Sequence, residues 1–319
     1  MLLDIHSVGL TVRDLDAAEA FYATEGAYEL VSRFRTQRLS RLDAALRTDQ
    51  PGAEVAVLRG DGGFLELTEF DNKPNEKLQR WEVHDSGLRH VCLRVRDVHQ
   101  LFDCFVDSGA LWHAKPHDLG TGLEYAYVRD LEQNIVELEG LSMMPEGLLG
   151  PWFDHAALVT PDIARLCTFY ETLTGHTVSR RGVFGPEAKF DTVAGLKDIE
   201  FDGAWILFGV SRIEMWQYRS PKSIARPLPA VDDIGWSYLC FEVDHLDKEV
   251  DRLAATGVEF LESPQEEFRG RSAFFRDVDG NLVKLLEVNE TFADLSISSL
   301  GTRPVLSKIR EVSEASNRA

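Results

Sequence analysis

Two histidines and two glutamates, His90, Glu137, His155 and Glu214, are the residues of this chain best suited to carry chemistry. Two imidazoles and two carboxylates converging on one point form a mixed nitrogen and oxygen donor set. Its borderline softness suits one divalent ion such as Zn, Mn, Fe, Co or Ni. These four are the expected metal ligands. No short motif links them, because each histidine lies tens of residues ahead of its glutamate. Arg212 and Trp216 flank Glu214 at two-residue spacing and Glu139 follows Glu137 in the same way. On a strand such neighbours share a face, so Glu139, Arg212 and Trp216 are expected to bind substrate.

An internal repeat turns these scattered residues into a pattern. Val8-Gly9-Leu10-Thr11-Val12, Asp14 and Phe21-Tyr22 recur 148 positions later as Ala156-Ala157-Leu158-Val159-Thr160, Asp162 and Phe169-Tyr170. Arg129-Asp130 returns as Arg276-Asp277 at an offset of 147. Each half divides again into two units that run strand, helix, then three strands. Asp16 and Glu19 have capping-box spacing and Gly26 offers a helix stop in the first unit. Pro161 and Gly175 bracket the helix of the third, and Asp279-Gly280 marks a hairpin in the fourth.

The expected fold class is α+β, four βαβββ units making two cupped mixed sheets with flanking helices. The expected domains are an N-terminal module, 1–142 (units 1–72 and 85–142), a C-terminal module, 150–290 (units 150–220 and 233–290), and a polar, peripheral tail, 291–319.

The repeat lets each ligand position be compared in all units. The histidine position holds Ser7, His90, His155 and Tyr238; the glutamate position holds Glu66, Glu137, Glu214 and Lys284. Only the middle two units keep both. A cup built from units 2 and 3 collects all four ligands, while one built from units 1 and 4 holds no metal site. Taken singly, each histidine fits a packed core position; their equivalence in the repeat is what singles them out. His6 lies one residue before a ligand position, so alternation places it on the opposite face, and Glu66 reads as a relic.

Composition narrows the partners. With 53 Asp+Glu against 34 Lys+Arg, a formal charge of −19 opposes binding to nucleic acid and to anionic membranes. No apolar run approaches the ~20 residues of a membrane helix. The four cysteines form no CxxC pair and read as reduced packing residues, which points to a cytoplasmic protein.

The segments HSVGLTVRDLDAAEAFY, GLRHVCLRVRD, VRDLEQNIVELEG, FDHAALVTPDIARLCTFY, SRIEMWQY and FRDVDGNLVKLLEV resemble the vicinal oxygen chelate superfamily over about residues 4–290. That superfamily includes glyoxalase I, methylmalonyl-CoA epimerase, fosfomycin-resistance proteins and extradiol dioxygenases. The resemblance implies a divalent metal that binds two vicinal oxygens of a small-molecule substrate. The His/Glu/His/Glu set looks more like its isomerase branch, where a carboxylate moves a proton α to a carbonyl, and so gives Glu137 and Glu214 catalytic roles. Fused four-unit chains also resemble the 2-epi-5-epi-valiolone epimerases, whose substrate is a cyclic polyhydroxy ketone. Three alternatives stand beside this reading: an extradiol-type ring-cleaving dioxygenase, a glyoxalase I-like lyase and a non-catalytic small-molecule binding protein. Four fused units can complete a site within one chain, so monomer and homodimer both fit.

Overall fold

The computed structural model describes residues 1–24, 27–36, 52–71, 80–120, 122–141, 150–225, 227, 230–300 and 308. Unit 1 contributes β1 (Leu2–Thr11), α1 (Leu15–Tyr22), β2 (Glu29–Thr36), β3 (Ala53–Gly60) and β4 (Gly63–Phe70). Unit 2 contributes β5 (Gly87–Val95), α2 (Val98–Asp107), the short β6 (Leu111–Trp112) and β7 (His117–Asp118), then β8 (Glu124–Arg129) and β9 (Ile135–Gly140). Unit 3 holds β10 (Trp152–Val159), α3 (Ile163–Thr174), β11 (Arg180–Phe184), α4 (Ala188–Ala194), β12 (Glu200–Phe208) and β13 (Ser211–Ser220). Unit 4 holds β14 (Gly235–Val243), α5 (Leu246–Ala254), β15 (Gln265–Glu267), β16 (Gly270–Arg276) and β17 (Leu282–Val288).

Two mixed sheets result, and each takes one unit from either half of the sequence. The eight-stranded sheet runs β15-β16-β17-β14-β1-β4-β3-β2; the nine-stranded sheet runs β11-β12-β13-β10-β5-β9-β8-β6, with β7 paired to β8. The joins are antiparallel, β1 with β14 and β10 with β5. Units 2 and 3 therefore share one sheet, the arrangement that gathers both histidines and both glutamates.

Helices hold each sequence half together across the two sheets. Asp14, Asp97 and Asp162 cap α1, α2 and α3, each accepting the backbone N–H three residues on. The cap of α1 is thus Asp14 rather than Asp16, and α3 starts after Asp162 rather than at Pro161. Gly175 ends α3 in the left-handed conformation, with φ 74°, which glycine adopts without steric cost. Gly26 lies outside the described residues. Phe21 of α1 meets Phe105 of α2 at 5.2 Å between ring centroids. Tyr22 donates to Asp130 at 2.8 Å and its repeat partner Tyr170 donates to Asp277 at 3.2 Å, so the same tie recurs in both halves.

The start of the expected tail is not peripheral. Residues Glu290–Leu295 form a 3₁₀ helix and Ile297–Leu300 a short helix, α6, with Leu295 and Leu300 buried. Glu242 accepts from the backbone N–H of Ile297, and His6 Nε2 donates to the Leu295 carbonyl at 2.8 Å. The His6 ring stacks on Phe64 at 4.7 Å. An irregularity in the β1 to β14 register between Ile5 and Ser7 breaks the alternation that would have turned His6 to the other face.

Candidate metal centre

His90 lies on β5, Glu137 on β9, His155 on β10 and Glu214 on β13, and all four side chains are buried. Their ligand atoms fall within 4.8 Å of one another. His155 Nε2 stands 3.0 Å from Glu137 Oε2 and 3.0 Å from Glu214 Oε2. His90 Nε2 stands 3.6 Å and 3.4 Å from the same two atoms. Atoms each about 2.1 Å from a common ion would be spaced by about 3.0 Å at right angles and about 3.4 Å at the tetrahedral angle.

Burial without hydrogen bonding is the decisive test of fit. His90 Nε2, His155 Nε2 and Glu214 Oε2 are buried and have no hydrogen-bond partner, despite lying so close together. Buried polar atoms are costly unless satisfied, and here they converge instead of aligning as donor and acceptor pairs. The donor set therefore fits a divalent ion. Burial opposes the charged form of every member, yet the imidazoles hold both carboxyls below the usual carboxylate range, and the carboxylates help to raise both histidines.

The profile of the Glyoxalase/Bleomycin resistance protein/Dioxygenase superfamily matches residues 4–138 and 152–285. The chain belongs to that superfamily. Members are generally enzymes. Glyoxalase I from Zea mays superposes with a TM-score of 0.63 at 18% identity, covering 92% of this chain and 95% of that one. A putative dioxygenase from Bacillus subtilis superposes with a TM-score of 0.58 at 13% identity, covering 99% and 96%. At these identities the likeness is one of fold. An uncharacterised protein of Shewanella frigidimarina is 25% identical over 139 residues, 43% of this chain and 93% of that protein.

In the other cup the equivalent positions are joined by ion pairs and a hydrogen bond. Glu66 accepts from Tyr238 and is paired with Arg269, while Lys284 Nζ lies 3.7 Å from Glu66 and 2.8 Å from Glu267. Built-in cations neutralise the buried carboxylate there.

The three expected substrate residues separate. Trp216 packs on Phe201 at 4.2 Å and Tyr218 at 6.2 Å, forming an aromatic wall, and its indole N–H is buried without a partner. Arg212 and Glu139 instead face inward protein charges. Arg212 Nε donates to Asp154 at 2.9 Å, and Arg94 Nη2 donates to both Glu139 oxygens at 2.7 Å.

Sequence reasoning overlooked Asp154, Arg94, Trp205, Tyr127 and Tyr218. Trp205 Nε1 donates to Glu214 Oε1 at 2.6 Å, and Tyr127 stands directly across the β8–β9 ladder from Glu137. Trp205 stands across the β12–β13 ladder from Glu214 in the same way. Burial, with the two site carboxylates nearby, pushes the phenols of Tyr127 and Tyr218 up and keeps them protonated. The hairpin registers were the signal that locates Tyr127 and Trp205. A separate cleft of about 610 Å³, lined by residues such as Arg13, Trp81, Arg89 and Trp236, does not include the four ligands.

Proposed function

We propose that this protein is a metal-dependent isomerase or epimerase that moves a proton α to a carbonyl of a vicinally oxygenated small molecule, such as a cyclic polyhydroxy ketone. The observation that carries this reading is the convergence of two imidazoles with two carboxylates, one carboxylate from each half of the sequence. His90, Glu137, His155 and Glu214 would hold the ion. When bound, a divalent ion supplies several kcal/mol of stabilisation to charge developing on a carbonyl oxygen.

The chain's own residues then divide the work. One of the two carboxylates, Glu137 or Glu214, takes the α-proton as the C–H electron pair moves toward the carbonyl oxygen. For a 1,2-shift the same carboxyl returns that proton to the neighbouring carbon; for epimerisation the other carboxyl, protonated from solvent, delivers a proton from the opposite side while the first releases its own to solvent. Trp205 anchors Glu214 by one oxygen and so fixes its direction. Trp216, with Phe201 and Tyr218, provides the wall against which a ring lies. Arg212 and Glu139 serve the site from beneath, engaged with Asp154 and Arg94 instead of substrate hydroxyls.

Incubation with cyclic polyhydroxy ketones in deuterated water tests this reading. Deuterium is expected at the α-carbon, with His155→Ala lacking both exchange and bound metal. Exchange that persists in metal-free protein contradicts the proposal, and oxygen uptake with a catechol after iron reconstitution redirects it to ring cleavage.

A further inference from the structure

Beneath the four ligands lies a second buried group, Arg94, Glu139, Asp154 and Arg212, whose charges balance two against two. Asp154 is fully buried and touches His155 from behind: its Oδ2 lies 2.9 Å from Nδ1, the ring nitrogen that faces away from the other ligands. A carboxylate can only accept there, so the proton sits on Nδ1 and the Nε2 lone pair is left toward Glu137 and Glu214. Arg212 binds the same Oδ2 through Nε at 2.9 Å and again through Nη2, while Arg94 Nη1 lies 3.0 Å from Oδ1. Glu139 ties the two guanidiniums together, at 2.7 Å from Arg94 and 3.4 Å from Arg212.

Two features set this group apart from ordinary core polarity. Asp154 adjoins His155 in sequence, and regular alternation would turn it to the opposite face; a register shift between Phe153 and His155 brings it round. The other cup provides an internal control. At the repeat offset of 148, Asp154, Arg94 and Arg212 correspond to His6, Glu242 and Phe64, and at 147 Glu139 corresponds to Leu286. Where the ligand quartet is missing, every member of the supporting group is different too. A balanced buried charge group gains little stability over apolar packing, so its presence under one cup alone marks a task for that cup.

We propose that Asp154 is a positioning residue: held by Arg212 and Arg94, it fixes the tautomer and ring orientation of His155 for metal binding. This rests on the metal-centre reading above and adds the residues that tune it. Carboxylates in this relation to a ligating histidine typically change metal affinity by about 10–100-fold when removed.

The test uses the full chain and Zn²⁺ as probe. Wild-type protein and Asp154→Asn are titrated with zinc in competition with a chelator, and long-range ¹⁵N–¹H spectra of the zinc-loaded wild type report which His155 nitrogen carries the proton. The expected results are a Kd weakened by about 10–100-fold in the variant and a proton on Nδ1 in wild type. A Kd within twofold of wild type, or a proton on Nε2, overturns the proposal. If Asp154→Asn does not fold, the wild-type spectrum alone decides. Failure of wild-type protein to bind zinc or any other divalent ion overturns the metal-centre reading itself, and this proposal with it.

Discussion

At the scale of single residues the proposed centre depends on how each side chain is held. Glu214 is fixed by the Trp205 indole and His155 by Asp154, so each has one atom restrained by the protein and another facing inward. Replacing Trp205 by Phe keeps the aromatic bulk and removes the donor. A hydrogen bond to a charged group contributes about 1.5–3 kcal/mol, so Trp205→Phe is expected to lower turnover about 10- to 100-fold with the fold intact, read from steady-state kinetics beside circular dichroism. The convergence of His90, Glu137, His155 and Glu214 was legible in the sequence because the repeat aligned these four positions and showed that two units carry other residues there. Asp154 was not, since only the shifted register of β10 on β5 turns it toward His155. Arg212 and Glu139 were correctly placed on the face of their glutamates, but their engagement with Asp154 and Arg94 arises only when four strands assemble.

At the scale of elements, helix packing and loop contacts set stability around the site. Phe105 is fully buried on α2 against Phe21 of α1. Phe105→Ala is expected to cost about 3–5 kcal/mol, measured as a lowered urea midpoint with an unchanged slope. His113, beyond β6, accepts from Arg129 Nε at 2.8 Å and donates through Nδ1 to the Ala194 carbonyl at 2.8 Å at the end of α4. Burial, together with the Arg129 guanidinium, lowers His113 to about 4 from an ordinary value of 6.5. The unfolded chain therefore binds the extra proton first. The stability that neutral His113 contributes is complete above pH 6.5 and is lost as pH falls from there through 4. Thermal unfolding of wild type and His113→Gln across that window is expected to show their difference in Tm shrinking toward acid; a constant difference contradicts the assignment. The capping aspartates and the glycine end of α3 express local rules, whereas β11, α4 and α6 follow from contacts that no periodicity in the sequence announces.

At the scale of the whole molecule, duplication followed by divergence explains why the chain carries four units yet, among the described residues, gathers the His/Glu/His/Glu quartet in one sheet alone. Each sheet joins one unit from either half, so the two related halves cannot each keep a private site. The sheet of units 2 and 3 gathers the ligand quartet, and the sheet of units 1 and 4 fills the matching space with Lys284, Arg269 and Tyr238 around Glu66. This division was readable from the residues at eight positions, because only one pairing of units gathers the four ligands. The reaction was less readable, since a shared fold supports several chemistries and the substrate wall depends on side chains from different strands. Among the described residues no helix is long and apolar enough to cross a membrane. The formal charge of −19 favours solubility and disfavours polyanionic partners. Glu66→Gln, in the cup that carries its own cations, is expected to leave metal content unchanged in elemental analysis, while its effect falls on stability.

Metal stoichiometry tests the central claim most directly. Elemental analysis of purified wild type and of the His90→Ala and His155→Ala variants is predicted to find one equivalent of a divalent transition metal per wild-type chain and far less in either variant. No metal taken up by wild type on reconstitution, or full retention by both variants, would contradict the assignment of the centre to His90, Glu137, His155 and Glu214.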